Sequence, residues 1–246
     1  MKQGIVLKVF FIGFLVLCLG FKPVVTLQKI ALTMEVKTLH NGKVMTTTAE
    51  VYYKSQGGLI VTHFVQPFEN ITIANSRGEM KVYDPKENSV VQLQNPNFSS
   101  QNSVFYAFFN NITQDMGLKK MGYSLSKTEV EGKYLVSTWL LGTTNRSEIK
   151  KVELVLEKYS PIHMAFFDSH NEIRQKVYYG NYQQIEEFRL PLKITEINFN
   201  SKTDSVIDRK IYSNVKLNEK VEDTYLNYQI PANAKVVNPY DNMPKK

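Results

Sequence analysis

The stretch Gln66–Pro85, QPFENITIANSRGEMKVYDP, contains two short apolar runs separated by a polar turn. Apolar and polar residues alternate through Ile71 and Ile73, and the alternation returns at Met80 and Val82. A period of two is typical of a β-strand, and the intervening Ser-Arg-Gly-Glu predicts the turn of a hairpin. Asp-Pro ends the second run, as expected at a turn. The segment offers no obvious catalyst, so it predicts structure rather than chemistry.

Runs of similar length continue in both directions from this hairpin, and turn residues such as Asn41-Gly42 and Glu131-Gly132 separate many of them. The predicted strands are 30–40, 44–54, 58–66, 70–76, 79–84, 89–94, 122–130, 133–141, 149–158, 161–168, 172–187, 191–200, 204–217 and 225–230. Because strand twist accumulates, a sheet of more than ten short strands curls, splits or closes. A mainly β protein follows, and a sandwich, a closed barrel and an incomplete barrel all remain open.

One segment, Ser103–Gly117 (SVFYAFFNNITQDMG), interrupts the strands with a helical pattern. At about 100° per residue its apolar side chains share one face. These side chains are Val104, Phe105, Phe108, Phe109, Ile112 and Met116. Ser103 suits the N-cap and Gly117 suits the position after the helix. The apolar face needs cover, which the inner side of a curled sheet supplies. Two interpretations stay open: a plug for an open barrel, or a lid over an apolar cavity that takes a lipid.

The first 26 of the 246 residues differ in character from the rest. Lys2 and Lys8 precede or adjoin the apolar run Val9–Phe21, which is short for a membrane span but suits the apolar region of an export signal. We therefore expect a signal peptide at 1–26 and a single domain at 27–246. An uncleaved inner-membrane anchor is the alternative.

Cysteine usage and charge agree with export to a periplasm. Cys18 is the only cysteine and lies inside the apolar run, so the mature chain would have no disulfide. The net charge is +7, and removing the first 26 residues leaves 27 basic and 23 acidic residues. Since no basic cluster is interleaved with aromatic residues, we expect no nucleic-acid binding. A monomer is expected.

Catalytic and metal-binding patterns are not evident in the sequence. The four histidines, at positions 40, 63, 163 and 170, lie far apart and none has a partner at metal-ligand spacing. There is no Gly-x-Ser-x-Gly elbow, phosphate-binding loop or dinucleotide fingerprint. We therefore expect a protein that is not an enzyme and needs neither metal nor cofactor.

The segment Gly57–Val91 resembles the core pattern of the periplasmic outer-membrane lipoprotein carriers, the LolA-like family. In that pattern a strand ends in proline, here Pro67. A hairpin with a short polar turn follows, here Ser76-Arg77-Gly78, and an aromatic-Asp-Pro stop closes it, here Tyr83-Asp84-Pro85. The predicted helix, the strand RLPLKITEINF and the terminal YQIPANAKVVNP fit as well. The resemblance extends over residues 32–239.

The resemblance implies an incomplete antiparallel β-barrel, or half-barrel, whose inserted amphipathic helix acts as plug or lid over an apolar cavity. Family members carry lipoprotein acyl chains from an inner-membrane ABC transporter to an outer-membrane acceptor. The residues expected at the cavity and lid are Phe64, Phe105, Phe108, Phe109, Ile112, Met116, Trp139, Leu154, Phe166 and Ile194. The arginine that locks the family's lid has no counterpart here, since Ser55 and Gln56 occupy the matching positions.

The expected function is therefore to bind the acyl chains of lipoproteins or lipids and to carry them across the periplasm. The alternative is a membrane-attached envelope sensor or scaffold of similar fold that binds a partner protein. A periplasmic enzyme acting on lipids is a third interpretation.

Residues 1–26 are expected to be removed on export, because the length and flanks of the apolar run match a signal peptide. N-terminal sequencing of the protein from its own cell envelope measures this. A protein that still begins at Met1 and is extracted only by detergent would establish the anchor instead.

Overall fold

The computed structural model describes residues 27–110, 112–142 and 147–238, so the expected signal segment 1–26 lies outside it. The described strands are β1 (Lys29–His40), β2 (Lys43–Lys54), β3 (Leu59–Gln66), β4 (Asn70–Ala74), β5 (Glu79–Asp84), β6 (Ser89–Gln94), β7 (Tyr123–Glu131), β8 (Tyr134–Leu141), β9 (Ile149–Glu157), β10 (Ser160–Asp168), β11 (Ile173–Ile185), β12 (Phe188–Phe199), β13 (Ser205–Leu217) and β14 (Lys235–Val237). One α-helix, α1 (Val104–Phe109), and four short 3-10 turns accompany them. No helix in the described ranges has the length and apolarity that crossing a bilayer requires.

All fourteen strands join one sheet, in the order β14-β6-β5-β4-β3-β2-β1-β13-β12-β11-β10-β9-β8-β7. Neighbours are antiparallel except β14, which runs parallel to β6. Within the described residues β14 and β7 end the sheet without pairing to each other. The predicted incomplete antiparallel barrel with an inserted helix is confirmed.

The two faces of the sheet carry separate apolar cores. Tyr52 and Tyr53 are consecutive in β2, so their side chains point to opposite faces. Tyr53 belongs to the large core that surrounds α1, and its face is called the inner face. Tyr52 packs against Tyr225 on what is called the outer face. Both faces are therefore covered, each by a segment that connects distant strands.

The inner cover is the connector between β6 and β7, residues 95–122, and it contains α1. β6 lies beside one edge of the sheet and β7 forms the other edge. The chain between them has to cross the sheet, and it does so along the inner face, where α1 packs.

The outer cover is residues 218–234, between β13 and β14. The predicted strand at 225–230 is wrong. The chain turns there, with hydrogen bonds from Asn227 N to the Asp223 carbonyl and from Tyr228 N to the Tyr225 carbonyl. Tyr225 and Tyr228 are drawn to the outer-face core instead of pairing with a strand. The final strand, β14, forms a few residues later.

The helix is shorter than the periodicity predicts, since it ends at Phe109 and not near Met116. The Asn110 side-chain amide donates to the Tyr106 carbonyl at 2.9 Å and so satisfies the end of the helix. The Ile112 N–H donates to the Ala107 carbonyl five residues back at 2.9 Å, which satisfies a further carbonyl at the end of the helix. Turns follow, yet Met116 still reaches the same core as α1.

The hairpin of Gln66–Pro85 forms as predicted, as β4 and β5. Its turn is held by Asn75, whose Oδ1 accepts from the Arg77 N–H at 2.9 Å. Gly78 has φ +78°, and its carbonyl accepts from the Asn95 N–H at 3.0 Å. A Cβ on Gly78 would lie 2.3 Å from the Asn95 carbonyl oxygen. The turn therefore needs glycine both for its dihedral and for the approach of the chain that leaves β6.

Gly78→Ala is expected to lower the free energy of unfolding by about 2–4 kcal/mol, because backbone strain at positive φ adds to a clash with backbone that cannot swing away. Gly42→Ala is the matched control: Gly42 has φ +72°, but nothing lies within 4 Å of the place that a Cβ would take. That control should lose only about 1–2 kcal/mol. Urea unfolding of the three proteins measures the difference, and equal losses would show that the Asn95 contact is unimportant.

Candidate functional site

Helix α1 lies in the curl of the sheet and contacts strands on several sides. The Ser103 Oγ caps it by accepting from the Tyr106 N–H at 3.2 Å. On its inner-facing side the Phe105 ring lies 5.4 Å from Tyr212 of β13, and the Phe109 ring lies 5.1 Å from Tyr53 of β2. Since these strands and others around them all supply contacts, the sheet wraps around the helix.

Nine of the ten residues predicted for the cavity and lid belong to this one core. Five are buried: Phe108, Met116, Trp139, Leu154 and Ile194. Four more are partly buried against them: Phe105, Phe109, Ile112 and Phe166. The tenth, Phe64, is partly buried on β3 and is not among the residues of this core.

The apolar space beneath α1 is almost completely filled. It measures ≈ 20 Å³ and is lined by Ile30, Leu32, Phe105, Phe108, Leu192 and Ile194, among others. That volume admits about one water molecule. An acyl chain and α1 therefore compete for the same space, and a chain can enter the core only where the helix moves away.

Four tyrosines on the inner face pack against α1 and bring hydroxyl groups near it. Burial raises the pKa of Tyr179, Tyr182 and Tyr212, so these phenols stay protonated at neutral pH. Burial also raises the pKa of Tyr53, and a hydrogen bond with Asn110 at the end of α1 opposes that rise. The surface beneath the helix is thus apolar with neutral hydroxyls, which suits an uncharged chain.

The connector is tied to the sheet by polar bonds mainly before α1. The Ser99 Oγ donates to the Ser76 carbonyl at 2.8 Å, and the Ser100 N–H donates to the Asn75 carbonyl at 3.0 Å. Ser55 and Gln56, which match the family's lid-locking arginine, are exposed in the β2–β3 turn. Among the described residues no ion pair joins α1 to the sheet. Apolar packing is therefore the main force that holds the helix in place.

Two open clefts adjoin the helix. The first, called the basic cleft, measures ≈ 660 Å³ and lies at the C-terminal end of α1, with Lys158 and Arg189 at its rim. The second, called the Trp139 cleft, measures ≈ 500 Å³ and separates residues 112–119 from strands β7–β9. Both lie against the core that contains α1, so they are routes by which a ligand could reach it.

The described histidines are placed away from this core. His63 is stacked on Tyr225 at 4.7 Å, and its Nε2 lies 3.0 Å from the Glu69 carboxylate. Burial lowers the pKa of His163, which keeps that ring neutral at pH 7. No group of three or more metal-ligating side chains occurs in the part of the chain that the structure describes. The arrangement around α1 can bind an apolar group. The nearest described ion pair on this face joins Lys210 to Glu196 at 2.6 Å, and the charge of Glu196 adds to the rise in the pKa of Tyr179 and Tyr212.

Sequence analysis missed two features of the site. Tyr53, Tyr179 and Tyr212 could have been identified from alternation in β2, β11 and β13. Tyr182 lies three residues after Tyr179 in β11 and so falls outside that alternation. Lys158 and Arg189 gave no such signal, since one lies in the β9–β10 turn and the other at the start of β12, and they line one cleft only in the fold.

Several solved structures share this architecture. A DUF1329 family protein from Desulfovibrio piger matches with a TM-score of 0.59 at 15% identity, over 82% of this chain and 91% of that one. A putative outer membrane lipoprotein-sorting protein domain from Vibrio parahaemolyticus matches with a TM-score of 0.58 at 16% identity, over 81% and 89%. A LolA superfamily protein from Nitrosomonas europaea matches with a TM-score of 0.55 at 13% identity, over 80% and 90%.

At the level of sequence, no protein-family model and no curated protein matches the chain. The identities to the solved structures are low, so these structures report on the fold alone. The similarity in structure covers 80–82% of this chain and so extends well beyond the segment Gly57–Val91. The chain has a LolA-like fold.

Proposed function

We propose that the protein binds the acyl chain of a lipoprotein or lipid in the space that α1 occupies, and carries it across the periplasm towards the outer membrane. The main support for this proposal is the apolar inner face, which a short helix fills. If the helix moved away, it would leave a cavity lined by apolar side chains. Burying each methylene is worth about 0.8 kcal/mol, so a long chain can replace the packing of the helix. The fold that the chain shares with a lipoprotein-sorting domain and a LolA superfamily protein supports the same proposal.

In this proposal residues 1–26 direct export as a signal peptide and residues 27–246 form one periplasmic domain. An inner-membrane ABC transporter would supply the cargo and an outer-membrane acceptor would receive it, as the resemblance implies. The protein acts by binding and release without a chemical step, because the groups beneath α1 are apolar or neutral phenols.

The second candidate is an envelope scaffold that binds a partner protein, and one observation favours it. In the described part of the sheet, β7 is an edge strand, and its Val130 is 76% exposed and Leu125 52% exposed. An open edge can accept a strand from another chain. Stable capture of a partner, with no lipid extractable from the purified protein, would favour this function over carriage.

Bound acyl chains that carry bromine should quench the fluorescence of Trp139. It is the only tryptophan in the chain, is 3% exposed, and lines the Trp139 cleft. Palmitate brominated along its chain is expected to quench this residue on titration, because a bromine atom quenches at close range. Unbrominated palmitate is the control for indirect changes. If neither quenching nor calorimetric binding of any acyl ligand is seen, the proposed function is wrong.

Phe108→Ala is expected to lower the stability of the protein and to raise its affinity for an acyl chain. Phe108 is 8% exposed and packs on Tyr179 and Tyr182, so the change should lower the unfolding free energy by about 3 kcal/mol. If α1 and the chain compete for one space, a weaker helix also raises the population that can bind, and acyl affinity should rise several-fold.

The matched control is Phe68→Ala, since Phe68 is 78% exposed in the β3–β4 loop. It should change neither unfolding nor acyl binding by much. Urea unfolding and palmitate titration of the three proteins provide the measurement. A Phe108→Ala protein that is folded but binds palmitate more weakly would contradict the competition between helix and chain.

A further inference from the structure

The basic cleft combines an apolar floor with a cationic rim. Phe108 and Phe109 of α1 and the rings of Tyr182 and Phe188 form part of its lining. Lys158 in the β9–β10 turn and Arg189 at the start of β12 also line it. Its volume of ≈ 660 Å³ lies within the range of small-molecule sites. The cleft therefore has the two surfaces that an amphiphile requires, side by side.

The two cations of the rim are outside the ion pairs of the described residues. Most described lysines and arginines in this region have a partner: Lys133 pairs with Glu157 at 2.8 Å, and Lys220 pairs with Glu186 at 2.8 Å. Within the described ranges, neither Lys158 nor Arg189 lies in an ion pair. The charged N–H groups of both side chains can therefore bind an anion in the cleft.

Carboxylates near the cleft are fewer than the cations. Glu187 lines the cleft, and Glu157 lies close enough for the charges of Lys158 and Arg189 to act on its carboxylate. The hydrogen bond from Lys133 is the main cause that lowers the pKa of Glu157; burial opposes it, and the charges of Lys133, Lys158 and Arg189 add to it. The lining of the cleft thus has two cations and one carboxylate, and the local field favours a further negative charge.

Arg189 is connected to the helix through one aromatic ring. Its guanidinium lies 5.3 Å from the centre of the Tyr182 ring, and that ring lies 6.3 Å from the Phe108 ring of α1. The Tyr182 hydroxyl donates to the Pro161 carbonyl, which fixes the ring as a platform. A guanidinium stacked on a ring keeps its edge free for bidentate hydrogen bonds to a carboxylate or phosphate. An anion bound there would lie beside the end of α1 that closes the core.

We propose that Lys158 and Arg189 bind the anionic head group of the cargo, a carboxylate or phosphate, while its acyl chain extends from the basic cleft into the space under α1. This inference rests on the proposed function and specifies its ligand as an anionic amphiphile. A fatty acid supplies the carboxylate and a phospholipid supplies the phosphate. An acyl chain joined to a protein through an ester or amide has no charge at that end, so the inference favours free lipids over lipoproteins.

The test compares three ligands with the same acyl chain: palmitate, palmitoyl lysophosphatidate and neutral monopalmitoylglycerol. Each is titrated into the full-length protein below its micelle concentration, with binding measured by calorimetry. The anionic ligands are expected to bind at least tenfold more tightly than the neutral one. The preference should shrink as salt is raised, because exposed charges are screened.

The double variant Lys158→Gln/Arg189→Gln should lose the preference for anions and keep its affinity for monopalmitoylglycerol. Retained binding of the neutral ligand also shows that the variant is folded. The matched control is Lys43→Gln/Lys81→Gln, which removes two exposed charges from β2 and β5 and should keep the preference.

The relative affinities of the two anions identify the source of the head group. Tighter palmitate indicates a free fatty acid, and tighter lysophosphatidate indicates a phospholipid. If monopalmitoylglycerol binds as tightly as the anions, or if the cleft variant keeps its preference, the inference is overturned while acyl binding stands. If none of the three ligands binds, the proposed function fails as well.

Discussion

The order of the strands imposes the constraint on which the rest of the structure depends. β6 lies next to one edge of the sheet and β7 is the other edge, so the chain between them has to cross the curl. A crossing segment with an apolar face packs on the inner side, because the curled sheet exposes apolar residues there that need cover. Helix α1 is therefore a consequence of the topology. Its occupation of the cavity follows from the path that the connector has to take.

The two covers of the sheet are held in different ways, and this difference decides which of them can move. The outer cover is anchored at both ends. Lys29 pairs with Asp223 at 2.7 Å near its start, and the Lys235 N–H donates to the Asn88 carbonyl at 2.8 Å where β14 begins. The inner cover has its backbone ties before α1, near Asn75, and then relies on ring packing. Among the described residues, α1 can thus move without breaking an ion pair to the sheet, whereas the outer cover would lose the pair between Lys29 and Asp223.

The local features of the fold could be predicted from the sequence, whereas the long-range ones could not. Val152, Leu154 and Leu156 alternate in the sequence and are 0%, 0% and 4% exposed in β9. The helix was predicted too long because the apolar period continues to Met116, although the Asn110 cap ends it earlier. The segment 225–230 has the composition of a strand, but the outer-face core captures its tyrosines. Lys158 and Arg189 come together only through the pairing of β9–β12, which no local pattern reports.

The cavity is filled by a helix of the same chain, so cargo has to displace that helix. The affinity for cargo is therefore the free energy gained by burying the acyl chain minus the free energy lost by withdrawing the helix. A long acyl chain gains roughly 10 kcal/mol on leaving water, and withdrawing two or three aromatic side chains of α1 costs about 5 kcal/mol. The remainder of about 5 kcal/mol corresponds to a dissociation constant of about 0.2 mM. Such an affinity suits a protein that must release what it binds. The helix also covers the apolar inner face when no cargo is present, so the empty carrier does not expose a surface prone to aggregation. A head group held by Arg189 would add specificity at the rim without deepening the cavity, because its interaction with the cargo stays in contact with solvent and remains reversible.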